Sequence, residues 1–163
     1  MPLNSLRCGV TLISAFGLAV ALTGAPAFAQ QNTFTVRDAS RLLMQINDGL
    51  VNRDAGRFLA GFDLARMNQG QLFKQQITSL IAHTDGIRTH FNLDQVTMKA
   101  GQGEATVDAE MEADPRNGGG PLLHKRATLR FAAELTSSGW KFIDVQPRAF
   151  FSTSALSTSS GPR

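Results

Sequence analysis

The strongest constraint on the fold of this chain is a change of hydrophobic period near Ile87. Before that point apolar residues recur every three or four positions; beyond it they alternate with polar ones. The first spacing lines one face of a helix, and the second lines one face of a strand. A chain that is helical first and β afterwards predicts an α+β domain with its helices packed on one face of an antiparallel sheet.

Three helices are predicted. Val36, Ala39, Leu43, Ile46 and Leu50 follow helical steps, which predicts a helix over 35–51. Thr35 and Asp38 supply a capping box at its start. Asn52-Arg53-Asp54 interrupts the stripe, and Asp54 caps a short second helix whose apolar side is Ala55, Phe58, Leu59 and Phe62. Phe73, Ile77, Leu80 and Ile81 mark a third helix. The Asp85-Gly86 pair is expected to stop it, with the glycine in a left-handed conformation.

Four strands follow. Ile87, Thr89, Phe91 and Leu93 alternate with Arg88, His90 and Asn92. After a turn at 100–103, Ala105, Val107, Ala109, Met111 and Ala113 alternate with Thr106, Asp108, Glu110 and Glu112. A loop over 114–121 contains Gly118-Gly119-Gly120, which lacks the Gly-Lys-Ser/Thr of a phosphate loop and reads as a hairpin connection. The third strand sets Leu123, Ala127, Leu129, Phe131, Ala133 and Leu135 against His124, Arg126, Thr128, Arg130 and Glu134. Ser137-Ser138-Gly139 turns the chain into a last strand, Trp140 to Gln146.

Parity then sorts the sheet into two faces. Phe91, Val107, Met111, Leu129, Phe131, Ile143 and Val145 form an apolar face, and the first six of these are the expected lining of any pocket under the helices. Arg88, His90, Asp108, Glu110, Glu112, Arg126, Arg130 and Asp144 fall on the other face, where an acidic strand lies between two basic ones. Facing opposite charges contribute roughly 0.2–1 kcal/mol per pair, so this pattern reads first as a ladder that sets register. Parity also places Trp140 and Phe142 among those charges. A bulge would exchange the faces beyond it.

Residues 1–29 carry a different message. Arg7 is the only charged side chain there, the run from Cys8 to Leu22 is apolar or small, and Ala27-Phe28-Ala29 provides small residues around a cleavage point. These are the parts of a secretory signal peptide, which predicts cleavage after Ala29 and a periplasmic or secreted protein. The run is shorter than the about 20 apolar residues of a membrane span, so no membrane association is expected after cleavage. Cys8 precedes the apolar run rather than following it, which argues against lipid attachment. The expected organisation is a signal peptide over 1–29, one domain over 30–151, and a disordered Ser/Thr-rich tail over 152–163.

Composition removes several chemistries. A single cysteine makes no intrachain disulfide and no thiolate zinc cage. His83, His90 and His124 stand far apart, so no metal and no cofactor is expected. The formal charge of +3 is interleaved rather than clustered, which gives no nucleic-acid footprint.

Two stretches carry a family resemblance. Leu50 to Asp63 (LVNRDAGRFLAGFD) looks like the end of the first helix and the short second helix of the nuclear transport factor 2-like superfamily, and Gly139 to Pro147 (GWKFIDVQP) looks like its final strand. The resemblance is to its SnoaL-like and ketosteroid-isomerase-like branches, and the order of elements agrees from about Val36 to Arg148. It implies a cone-shaped curved sheet wrapped around about three helices, with a pocket at the wide end. It also implies homodimers through the sheet and small apolar ligands or substrates. Ketosteroid isomerases use a tyrosine in the oxyanion hole, and this chain has no tyrosine. Dehydratase relatives use histidine with aspartate, for which His90 and Asp144 are the candidates here.

Three functions therefore compete. The leading one is a non-enzymatic module for a small apolar ligand or for assembly, its pocket lined by Phe91, Val107, Met111, Leu129, Phe131 and Ile143. A cofactor-free isomerase, dehydratase or cyclase would use His90 or Asp144 as proton carrier. A sheet-mediated dimer without ligand would use Trp140 and Phe142 on the outer face.

Overall fold

A computed structural model of the chain describes residues 33–116 and 121–153. The expected signal peptide over 1–29, the glycines at 118–120 and the tail from residue 154 lie outside the described residues. The order of elements is α1 (Val36–Val51), α2 (Ala55–Leu59), α3 (Gly70–Ala82), β1 (Thr84–Lys99), β2 (Gln102–Pro115), β3 (Leu123–Thr136), β4 (Gly139–Gln146) and a short 3-10 turn, Arg148–Phe151. The strands form one curved antiparallel sheet in the order β1-β2-β3-β4. The α+β architecture expected from the change of period is the one observed.

Local chemistry sets the helix ends. The Thr35 hydroxyl accepts from the Asp38 amide and Asp38 accepts from the Thr35 amide, closing the capping box. Asp54 caps α2 by accepting from the Arg57 amide at 2.9 Å. The end of α3 differs from the expected glycine stop. The helix finishes at Ala82, His83 turns its Nδ1 back to the Ser79 carbonyl at 2.8 Å, and Gly86 is already inside β1. Thr84, fully buried, donates its hydroxyl to the Leu80 carbonyl. Side chains thus satisfy carbonyls of the last turn without a left-handed residue.

Each tight hairpin turn contains a residue in the left-handed region. Ala100 and Gly101 (φ 50° and 83°) join β1 to β2, and Gly139 (φ 99°) opens β4. Two consecutive residues of positive φ give the turn whose twist matches that of paired strands.

Alternation holds along β2, where Ala105, Val107, Ala109, Met111 and Ala113 are all buried. It fails in β4. Ala132 pairs with Asp144, but Ala133 pairs with Phe142, so Ile143 is an extra residue in a β-bulge. The bulge reverses the parity of what precedes it. Trp140 and Phe142 consequently face inward and are buried, whereas Ile143 is only half-buried and lies outside the main core. The expectation that Trp140 and Phe142 stand on the outer face is corrected, and the sequence clue for a sheet-mediated dimer goes with it. Ile143 likewise leaves the apolar inner set. A second irregularity at Asp94 in β1 brings Val96 back onto the core.

Phenylalanine fills the space between helices and sheet. Phe58, Phe73, Phe131, Phe142 and Phe151 are fully buried, and Phe62 nearly so. Phe131 and Phe142 are 4.6 Å apart between ring centres, Phe62 and Phe73 5.1 Å, Phe58 and Phe151 5.5 Å. Such tilted and edge-on pairs are the arrangements that ring quadrupoles favour. Val107, Met111 and Leu129 complete this packed interior.

A candidate binding cleft between the first helix and the first strand

The helix α1 lies against the edge strand β1, and a cleft of about 350 Å³ opens between them. Ser40, Leu43, Met44, Asn47 and Asp48 line it from α1; Thr89, His90, Phe91 and Leu93 line it from β1. The inner side of β1 is left half-covered: Ile87 is buried, but Thr89, Phe91 and Leu93 remain partly open. Met44 is 63% exposed on the other wall. The result is a groove of mixed lining, in which four apolar side chains stand among five polar ones.

Three of those polar groups are tied in place. Thr89 donates its hydroxyl to Asn47 Oδ1 at 2.7 Å, joining helix to strand. Asp48 is held by the Arg57 guanidinium at 2.8 Å. Neither Asn47 nor Thr89 stood out as a site residue in the sequence. Thr89 was the available signal, being a hydroxyl at an inward position of an otherwise apolar alternation.

Of the six residues expected to line a pocket, Phe91 borders this cleft. Val107, Met111, Leu129 and Phe131 are fully buried in the packed core. Ile143 is removed by its bulge.

His90 and Asp144 do not come together. His90 is exposed on β1 at the rim of the cleft. Asp144 sits on β4, three strand spacings away, each about 4.8 Å. General acid–base partners need hydrogen-bond distances to a shared substrate. Asp144 also has other partners. It accepts from Arg148 Nη2 at 2.6 Å, Arg148 Nε at 3.1 Å, the Val145 amide at 2.8 Å and Gln146 Nε2 at 3.1 Å. Partial burial pushes its carboxyl up, but these hydrogen bonds outweigh it and hold the group below its ordinary 3.8.

The outer face carries the expected charge ladder. Register places Glu110 between His90 and Arg126, and Glu112 between Arg88 and His124. Glu110 meets His124 at 2.7 Å and Arg126 at 3.0 Å, and Arg88 meets Glu112 at 3.3 Å. Among the described residues no cluster of three potential metal-ligating side chains occurs, and no helix is long and apolar enough to cross a membrane.

Comparison by sequence finds no matching protein-family profile and no matching curated protein. Comparison by structure is informative. A nuclear transport factor 2-like superfamily protein from Salmonella enterica serovar Typhimurium aligns with a TM-score of 0.57 at 10% identity, covering 67% of this chain and 86% of that one. The fold is nuclear transport factor 2-like. A candidate dehydratase of that family from Streptomyces avermitilis gives 0.55 at 13% identity, covering 68% of this chain and 91% of its own. Bd1075 of Bdellovibrio bacteriovorus gives 0.55 at 12% identity over 68% of this chain, which spans 40% of that longer protein. At such identities the nuclear transport factor 2-like likeness concerns backbone architecture, and the chemistry rests on the residues of this chain.

Proposed function

We propose that this protein is a non-enzymatic binding module that holds a small molecule with an apolar body in the cleft between α1 and β1. The lining of the cleft carries this reading. Leu43, Met44, Phe91 and Leu93 present apolar surface around the hydrogen-bonded Asn47–Thr89 pair. A concave apolar surface with few placed polar groups is the usual construction of a small-molecule site, and about 350 Å³ lies at the small end of such sites. The phenylalanine-filled interior directs attention to the cleft rather than to the space beneath the sheet.

Titration of the purified protein with a panel of small hydrophobic compounds tests the proposal. A ligand at one hundred times its Kd is expected to stabilise the fold by about 2.7 kcal/mol. Methyl resonances of Leu43, Met44 and Leu93 should shift together. Absence of any thermal response, or shifts confined to other regions, would remove the reading.

Export belongs to the same proposal and rests on the pattern of residues 1–29. The exported protein should begin at Gln30; a product still beginning at Met1 would overturn it.

One observation favours a catalytic alternative, since His90 borders the cleft. In that case His90→Ala would abolish turnover of a bound compound while leaving its affinity nearly unchanged. Binding without turnover in the unaltered protein decides for the module.

A further inference from the structure

We infer that the free edge of β1 pairs with the same edge of a second copy of this chain, antiparallel and centred on Phe91, so that two sheets join into one. β1 is the outermost strand and pairs with β2 alone. Among the described residues, its main chain from Ile87 to Leu93 makes no hydrogen bond to any other element. Every second residue of a strand directs its N–H and C=O to the same side, so half of these groups lie open along the edge. Such an edge is a template for another strand. Register with β2 runs without interruption from Gly86 to Leu93, so the open groups follow in regular order. The stretch contains no proline.

Charges on an edge strand usually repel a second strand, and this stretch ends in two, Arg88 and Asp94. Here their placement attracts. Each is exposed and stands three residues from Phe91. A two-fold axis at Phe91 therefore brings Arg88 of each copy opposite Asp94 of the other. Arg88 meets Glu112 at 3.3 Å and Asp114 at 3.8 Å but remains 71% exposed, which leaves guanidinium donors for a further carboxylate. Asp94 takes part in no ion pair among the described residues. The same axis sets the exposed His90 against Asn92, and the half-buried Thr89 against Leu93. The two half-open Phe91 rings then meet and cover each other, and no like charges face one another. Moving the axis by one residue sets Arg88 against Asn92 or Val96 and loses its match with Asp94. This contact runs along the edge and leaves the charge ladder on the face of the sheet in place.

Sedimentation of the purified protein from about 1 to 100 μM, the range suited to a small interface, should show a monomer–dimer equilibrium. Asp94→Lys and Arg88→Glu should each weaken association about ten-fold, because the axis turns both Arg88–Asp94 contacts into like-charge ones. An equal mixture of the two variants should associate as tightly as the unaltered protein, since every contact in the mixed dimer again joins opposite charges. Every second amide between Arg88 and Asp94 should gain protection from hydrogen exchange as concentration rises, these being the donors that β2 does not use. A monomer throughout the range overturns the proposal. Association that ignores both substitutions, or that the mixture fails to restore, overturns it as well. A dimer whose β1 amides stay unprotected overturns it by assigning the contact to another surface.

Discussion

The hydroxyl of Thr89 donates to Asn47 Oδ1 at 2.7 Å and so fastens α1 to β1 across 42 residues of sequence, at the wall of the cleft. Both side chains are half-buried, where a broken hydrogen bond leaves an unmet polar group. Thr89→Val should destabilise the protein by about 1–2 kcal/mol. Combining it with Asn47→Leu should cost less than the two single changes added together, because the second removes a group already orphaned. Chemical denaturation of the four species in a double-mutant cycle checks this.

Phe142 and Phe91 provide a contrast within one sheet. Phe142 is fully buried beside Phe131, whereas Phe91 is half-open to the cleft. Phe142→Ala should cost about 3–5 kcal/mol, a large part of the 5–15 kcal/mol typical of a whole domain. Phe91→Ala should cost clearly less. Equal losses in urea denaturation would mean that the cleft is closed in solution.

Gly49 lies where α1 meets α2. A Cβ on it would overlap the backbone nitrogen and Cα of Phe58, which are main-chain atoms and cannot swing aside. Gly49→Ala is therefore expected to destabilise, although alanine ordinarily favours a helix by about 1 kcal/mol over glycine. Gly101→Ala, with no atom near its Cβ, isolates the cost of positive φ alone. Melting temperatures of the two variants should fall furthest for Gly49→Ala.

Acid sensitivity should arise partly from Glu110. Its hydrogen bonds from His124 and then Arg126 hold the carboxyl below its ordinary value of 4.5. A carboxylate depressed in the folded state binds fewer protons than in the unfolded chain. Its stabilising contribution is complete above the ordinary carboxylate range and is lost as pH falls through the lowered folded value. Glu110→Gln should lower stability slightly at neutral pH, change it little well below pH 4.5, where Glu110 itself is protonated, and so flatten the stability–pH curve between the two. Added salt should reduce the difference, as expected for an exposed ladder.

His90 and Asp144 act independently in this fold. Substitutions more than about 7–10 Å apart without shared partners add within roughly 0.3–0.5 kcal/mol. His90→Ala and Asp144→Asn should therefore be additive in stability. Asp144→Asn alone should loosen the turn at 148–151, because it removes the carboxylate that receives Arg148. Hydrogen exchange at those amides reports the loosening; a non-additive pair would mean that the two side chains communicate.

Much of the architecture was legible in residue spacing. The apolar steps of α1 and the strict alternation of β2 each specify one face, because 3.6 and two are the periods of the two backbones. Thr35 and Asp54 announced helix starts, since a capping bond is a local matter between residues three apart. The acidic column of β2 and its basic neighbours also identified the solvated side of the sheet before any pairing was known.

Other features depended on strand pairing and packing. Whether Ile143 or Phe142 faces inward depends on one extra residue opposite Ala132 and Ala133, and a bulge is a relation between strands that neither strand spells alone. The same is true of the site. His90 and Asp144 look like partners by residue type and share a parity, yet the strand order puts them on opposite edges of the sheet. Asn47 and Thr89 look like unrelated polar residues until helix and strand are packed together. The sequence by itself determined the elements, their order and their apolar sides, because those follow from local backbone geometry. Tertiary structure decided that aromatic rings fill the interior and that a cleft opens between α1 and β1, because both outcomes depend on volumes and contacts between residues distant along the chain.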